Sequence, residues 1–326
     1  GVVLVQDNRV NGWLILGIAL CPLLRFEGMA LSLVGAGLVV WHRKWGQGVA
    51  LLALAVLPLV GFCYYLTTLG LDPFPNSIQA KLEDNDSIEM SRLIKMAIAL
   101  MLNLNEWGGK LLLAGIVVTG MLVRLAPKGT VRPYGLLVLG VCSAALAHLI
   151  LGRIGWMNRY EIYAYVALSG ALMLVASRWN PAKAAGVTLV WVVISGGYYV
   201  YDLSWRNITN TRAIYLQQAQ MARFAQDYLK APVAVNDLGW VAWGNENAVL
   251  DLWGLANNEA RRARIFNPTE GWAGDLTAAQ NVPVAMVYDM WFDDGLGTDW
   301  VPLGELIIPG YVAFLGGRNV RFYATS

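Results

Sequence analysis

The chain has 326 residues, 57% hydrophobic and only 14% charged, with mean hydropathy +0.48 and formal net charge +2. That excludes an ordinary soluble domain and predicts a polytopic membrane protein. The charge is uneven: residues 202–326 hold 9 Lys+Arg and 13 Asp+Glu, net −4, while the preceding 201 hold 15 and 9, net +6, and the acidic tail gives nucleic acid no surface to bind.

The opening, "GVVLVQDNRVNG", has no initiator Met, no charged n-region and no small-residue cleavage site. No signal peptide is expected there, and upstream sequence is. Apolar stretches follow near residues 11–24, 28–41, 48–69, 110–126, 134–152, 160–177 and 184–201. Several approach the roughly 20 residues that cross about 30 Å of hydrocarbon, so about seven spans are expected. "SRLIKMAIALMLNLNEW" (91–107) is shorter and carries Arg92 and Lys95, which predicts an interfacial or re-entrant helix. Counting it as non-spanning puts Arg43, Lys44, Arg124, Lys128, Arg132, Arg178 and Lys183 on one side, the cytoplasmic one by the positive-inside rule. "RFEG", the 70–109 loop, "GRIGWMNRY" and everything after residue 201 then lie outside. Cys21, Cys63 and Cys142 all fall in apolar runs, away from any disulfide framework.

Two domains are expected: transmembrane helices over 1–201 and a small extracytoplasmic α/β domain over 202–326. In the second, "NTRAIYLQQAQMARFAQDYLK" (210–230) has helical spacing, and "APVAVND", "NAVLDLWGL", "VPVAMVYD" and "RNVRFYAT" read as short strands.

Polar groups collect in three outer segments. Arg25 and Glu27 sit between Pro22 and Gly28. Residues two apart do not face each other on a helix, so the pair is expected on a turn, where Arg25 can face a lipid phosphate and Glu27 orient it. A solvated loop is the plainer alternative. "GLDPFPNSIQAKLEDND" offers Asn76, Ser77, Gln79 and Lys81 behind two prolines, and "GRIGWMNRYEIYAY" supplies Arg153, Asn158, Arg159 and Glu161. The planar fork of arginine suits phosphate, though a single Arg also serves as an interface anchor. In the tail, Asp237 and Asp251 end strands or cap turns. The tail tryptophans, Trp253 among them, either stack on sugar rings or fill a core. "DMWFDDGLGTDW" (289–300) lacks the spacing of a calcium loop and reads as a solvated loop. His42 and His148 are far apart, one in a cytoplasmic-side turn and the other in an apolar span, and suggest no metal pair or catalytic dyad. No metal or other cofactor is called for.

Together these motifs resemble bacterial polytopic glycosyltransferases of the GT-C type. "LLRFEGMAL" is similar to their R-P-E-G element with Phe26 in place of Pro, and "DPFPNSIQAKL" to a P-N-[ST]-x-x-A-K loop. "NRYEIYAY" is similar to an Arg-Tyr at a helix start, and "VAVNDLGWVAW" with "VLDLWGLAN" to a D-x-x-G-L element of the extracytoplasmic tail. Mycobacterial-type arabinofuranosyltransferases are among the enzymes resembled. The resemblance implies transfer of a sugar from a polyprenyl-phosphate donor to a glycan, lipid or protein acceptor outside the bacterial cytoplasmic (inner) membrane, on its periplasmic or extracellular side, among membrane lipids. It places Arg25, Glu27, Asn76 and Lys81 in the donor pocket and Arg159 at its edge. Arg153, Glu161, Asp237, Asp251 and Trp253 remain as acceptor contacts or structural residues. The catalytic Asp it implies would lie upstream of residue 1, so no catalytic residue is assigned in this chain. The competing expectation is a non-catalytic subunit whose outer domain docks onto a larger membrane complex; a transporter ranks third, because the spans carry few charges.

Overall fold

The computed structural model describes residues 1–75, 91–127, 129–155, 158–266 and 268–325. The chain forms two compact units, the first comprising Gly1–Pro73 and Met90–Tyr201, the second built on Asp202–Ser326.

The first unit is helical: α1 (Val2–Asp7), α2 (Gly12–Leu24), α3 (Met29–Trp41), α4 (Trp45–Thr68), α5 (Arg92–Asn105), α6 (Trp107–Leu125), α7 (Gly135–Leu151), α8 (Ile162–Ser177) and the start of α9 (Pro181–Leu216). Among the described residues, Trp45–Thr68, Trp107–Leu125, Arg132–Leu151 and Ala182–Leu229 are long and apolar enough to cross a membrane; Gly12–Leu24, Phe26–Trp41 and Ile162–Ser177 are apolar but shorter. Leu54, Leu57 and Val60 of α4 and Leu189, Val190 and Val193 of α9 are exposed. An apolar surface of that extent suits hydrocarbon rather than water.

Local chemistry sets the helix ends. Asn11 caps α2 by accepting from the Leu14 N–H at 3.0 Å. The helix stops where Arg25 turns extended (φ −156°, ψ 135°), and a 3-10 turn, Phe26–Gly28, leads into α3. A Cβ on Gly28 would run into the Cys21 carbonyl, so this turn requires glycine. The α2–α3 hairpin closes through Gly35, which leaves room for Ile18, and through Ser32 Oγ, which donates to the Ile18 carbonyl at 2.7 Å.

Helix α5 has 14 residues, about 21 Å at 1.5 Å per residue, too short to span. It is tied to the bundle near its C-terminal end. Its buried Asn103 donates to the carbonyls of Leu149 and Gly152, each at 2.9 Å, and accepts from the Ile154 N–H at 2.9 Å. One side chain thereby satisfies one of the last carbonyls of α7, that of Leu149, and the Gly152 carbonyl that follows the helix.

The second unit continues from α9 through α10 (Gln218–Arg223), a π-helical turn (Phe224–Leu229), β1 (Val233–Val235), α11 (Gly239–Ala242), β2 (Val249–Asp251), α12 (Asn258–Ile265), α13 (Trp272–Ala279), β3 (Val284–Val287), β4 (Val301–Ile307) and β5 (Asn319–Ala324). The sheet order is β2-β1-β3-β5-β4; β1 runs parallel to β2 and β3, while β5 runs antiparallel to β3 and β4. Alternation along β3 feeds two cores. Ala285 and Val287 pack with Leu252, Ala260 and Trp272, and Val284 and Met286 with Met221, Val233 and Val241. Helices therefore cover both faces.

One expectation is corrected here and one strand was not foreseen, while the helical spacing read at 210–230 is met by the end of α9, which runs from Pro181 to Leu216, by α10 and by the π-helical turn. The stretch 289–300 is not a solvated loop: Phe292 and Trp300 are buried, and Gly295 and Gly297 lie directly against the indoles of Trp272 and Trp300. Strand β4, "VPLGELI", was not anticipated from the sequence. It is an exposed edge strand with an irregularity between Pro302 and Gly304, a place where a sheet tolerates proline.

Candidate functional site

In the first unit the "RFEG" and "NRY" segments meet. Because Arg25 leaves α2 in an extended conformation, its Nη1 donates to the Arg159 carbonyl at 3.0 Å, 134 residues away, while Nη2 lies 3.5 Å from Glu27 Oε1. The spacing rule for helices does not govern this ion pair, since neither residue lies in an α-helix. The Arg25 guanidinium sits 4.6 Å from the centroid of the Tyr160 ring, and that of Arg159 sits 5.3 Å from the same ring. Two guanidiniums and one carboxylate leave the cluster net positive. Arg25 Nε, buried, has no hydrogen-bond partner among the described residues. Net positive charge on guanidinium groups is the natural complement of an anion with several oxygens.

Beneath this cluster lies His148, on the last turn of α7 and 3% exposed. Its Nδ1 is 3.1 Å from the Tyr163 hydroxyl, with the rings edge to face at 5.3 Å. Arg25 and Glu27 lie within electrostatic range of both groups. Gly152 permits this placement, since a Cβ there would meet the imidazole at 2.6 Å. Sequence reasoning gave His148 and Tyr163 no role, although Tyr160 stands in the Arg-Tyr motif; a histidine inside an apolar run is no signal until its neighbours are known.

The remaining outer residues divide. Arg153 and Arg159 are exposed, the former just after α7. Glu161 is fully buried, accepting from the Gly155 N–H and the Tyr199 hydroxyl, both at 3.3 Å, and Gly108 approaches it too closely to carry a side chain. It ties Gly155 and the start of α8 to α9. Asn76 and Lys81 lie outside the described residues. An apolar cleft of about 430 Å³, lined in part by Trp13, Leu14, Gly17, Cys21, Leu31 and Leu137, begins one helical turn before Arg25.

The second unit holds a separate polar layer at the carboxyl ends of its parallel strands. The backbone leaves regular helix dihedrals at Gln217 (φ −117°, ψ −70°), and two consecutive glutamines turn inward there, Gln217 at 0% and Gln218 at 3% exposure. Gln217 donates to the Gly317 carbonyl at 3.0 Å and accepts from the Tyr288 hydroxyl. Gln218 Nε2 donates to Asp237 Oδ2 at 3.1 Å, and Asn236 Oδ1 accepts from the Tyr288 N–H at 2.9 Å. Asp251, opposite Val235 in the parallel register, caps its own turn by accepting from the N–H groups of Trp253 (2.9 Å) and Ala256 (2.6 Å). Trp253 lies 4.5 Å from Trp291 between ring centroids and carries the Arg264 guanidinium at 3.8 Å.

Burial pushes the Asp237 carboxyl above its ordinary range, and the neighbouring Asp251 charge adds to this. Burial also raises Asp251, against the opposing pull of four backbone N–H groups. Tyr288 is raised by burial and then by Asp237. Among the described residues no three His, Cys, Asp or Glu side chains gather as a metal site.

The profile of a family described as "Domain of unknown function (DUF8728)" matches residues 206–323, nearly all of the second unit and its polar layer. No curated protein matches the chain, and no solved structure does.

Proposed function

We propose that this chain is the membrane-embedded part of a sugar transferase that draws on a polyprenyl-phosphate donor, with Arg25, Glu27 and Arg159 holding the donor phosphate. The observation that carries this reading is the hydrogen bond from Arg25 to the Arg159 carbonyl, which joins two motif segments at one end of the bundle into a net-positive cluster. Negative charge grows on the phosphate as the sugar leaves, and fixed guanidinium donors lower the barrier by stabilising it. Glu27 aligns Arg25 rather than acting as the base. The apolar cleft before Arg25 offers a prenyl chain a bed of matching chemistry.

In this reading α2, α3, α4, α6, α7, α8 and the first part of α9 form seven spans, with α5 packed beside them. Arg178 Nη2 donates to the Tyr134 hydroxyl at 2.9 Å, gathering the loops of Arg132 and Arg178 at one end. Arg43, Lys44, Arg124 and Lys183 belong to that end by chain order, which makes it the cytoplasmic one. The Arg25 cluster then faces outward, as does the chain beyond residue 201, on a bacterial cytoplasmic membrane.

The test is transfer of labelled sugar from a polyprenyl-phosphate donor, in membranes holding equal amounts of the native polypeptide and its variants. Arg25→Ala is expected to lose about 100-fold or more and Arg25→Lys, which keeps the charge without the fork, to retain an intermediate rate. Unchanged transfer by Arg25→Ala would overturn the donor-site assignment.

A further inference from the structure

The end of the bundle opposite the Arg25 turn has a recess of its own. Helix α3 carries the chain 13 residues, about 20 Å, away from that turn to Trp41, and α7 packs against it. A cleft of about 440 Å³ opens at this end, with Val5, Leu38 and Leu136 in its apolar lining and His42 and Arg132 in its polar lining. Among the described residues that line it none is acidic. Its level is that of a membrane boundary: the apolar stretch Phe26–Trp41 stops at Trp41, and Arg132–Leu151, long and apolar enough to cross, begins at Arg132. Trp41, which also lines the cleft, is 68% exposed, and headgroup level is where an exposed indole at the end of an apolar helix is favoured.

The backbone under Arg132 is held in advance. Its 3-10 turn, Arg132–Tyr134, is pinned from two sides, because the buried Tyr134 hydroxyl accepts from Gln6 Nε2 and from Arg178 Nη2, each at 2.9 Å. The Arg178 guanidinium also lies 4.8 Å from the centroid of the Tyr134 ring. Arg132 itself is exposed and joins no ion pair among the described residues. A fixed turn bearing an unpaired guanidinium lowers the ordering cost of binding an anion.

We propose that this cleft binds the phosphate headgroup of an anionic phospholipid, with Arg132 and His42 on the phosphate and acyl chains against Leu38 and Leu136. The guanidinium supplies aligned N–H donors, and either tautomer of the imidazole leaves one ring N–H to donate. A metal cation would find no carboxylate in this lining. A free phosphate ion would leave the apolar lining facing water, whereas a phospholipid covers it. A zwitterionic headgroup would bring a second cation towards Arg132, so a headgroup of net negative charge is preferred. The inference rests on the membrane character of these helices and goes beyond the sugar-transfer reading, which concerns the other end of the bundle.

The experiment measures retention of radiolabelled dioleoyl phosphatidylglycerol and dioleoyl phosphatidylcholine by the full chain captured in neutral detergent. The wild-type chain is expected to retain the glycerol lipid in preference to the choline lipid, and Arg132→Gln to weaken that retention about tenfold. His42→Ala is expected to weaken it severalfold. Arg25→Ala, which alters the other positive cluster, is expected to keep the lipid that depends on Arg132, and an excess of inorganic phosphate to leave it bound. Unchanged circular dichroism confirms that the variants are folded. The proposal is overturned if the wild-type chain shows no preference for the anionic lipid, if folded Arg132→Gln and His42→Ala both retain it as the wild type does, if the preference disappears in Arg25→Ala, or if inorganic phosphate displaces the lipid.

Discussion

The two polar assemblies solve opposite problems. Around Arg25 the groups are charged and half-exposed, and they are held by contacts between segments 134 residues apart. Around Asp237 they are mainly neutral amides, deeply buried, and set by a helix break and two strand ends. A charged cluster at a bundle end keeps its ions near water and needs only orientation. A polar layer inside a sheet domain must meet its hydrogen-bond demand from within, so unmet demand there is informative, whereas at the bundle end it is ordinary.

If the first assembly works by presenting guanidinium forks, the largest effect in the molecule is the loss of sugar transfer in Arg25→Ala. Gly28→Ala should approach it without touching a charge, because its methyl group would meet the Cys21 carbonyl and open the turn that aims Arg25. Wild-type transfer by Gly28→Ala would mean that the turn can shift without disturbing the cluster.

Next in size is Asn103→Leu. It leaves two carbonyls and one N–H without their partner inside the bundle and should cost about 3 kcal/mol, seen as a lowered thermal midpoint in nanodiscs. A midpoint unchanged from wild type would show that water replaces the side chain there.

The second assembly should respond with the opposite sign. Because the folded-state pKa of Asp237 is raised, the native state holds its proton more tightly than the unfolded chain does. Its contribution to stability is therefore greatest at low pH, and it is lost as pH rises from about the ordinary value of 3.8 through the folded value. Asp237→Asn should raise the midpoint of the second unit by a few degrees at pH 7 and flatten its pH dependence above the ordinary value of 3.8. A variant destabilised at neutral pH would show that the carboxylate supports the fold instead of straining it.

The smallest effect is expected from Arg321→Ala. This exposed guanidinium pairs with Asp289 and Glu305 and is raised first by its Tyr323 contact, yet solvent screens such pairs. A clear loss of stability on Arg321→Ala would mark β5 as more tightly coupled to its neighbours than its exposure suggests.

Much of this was legible from local pattern. β1, β2, β3 and β5 fall inside segments whose apolar and β-branched content predicts strands. β4 was missed because Pro302 and Gly304 argue against a strand wherever the edge position is unknown. The period of 210–230 was visible, but its continuity with the last span was not, and neither proline nor glycine marks the break at Gln217. The 289–300 segment looked solvated because its aspartates are conspicuous; Gly295 and Gly297, which admit the indoles, are not.

What the sequence by itself determined is membrane character, the charge division near residue 201 and the presence of charges at the Arg25 turn, because hydropathy, charge and helical or strand period are properties of neighbours along the chain. The tertiary structure alone decided that Arg25 meets Arg159, that His148 lies beneath them and that Gln218 and Asn236 are buried half paired. Those facts depend on how helices and strands pack over long sequence distances, where free energy is set by shape and desolvation at the contact and leaves no periodic trace in the chain.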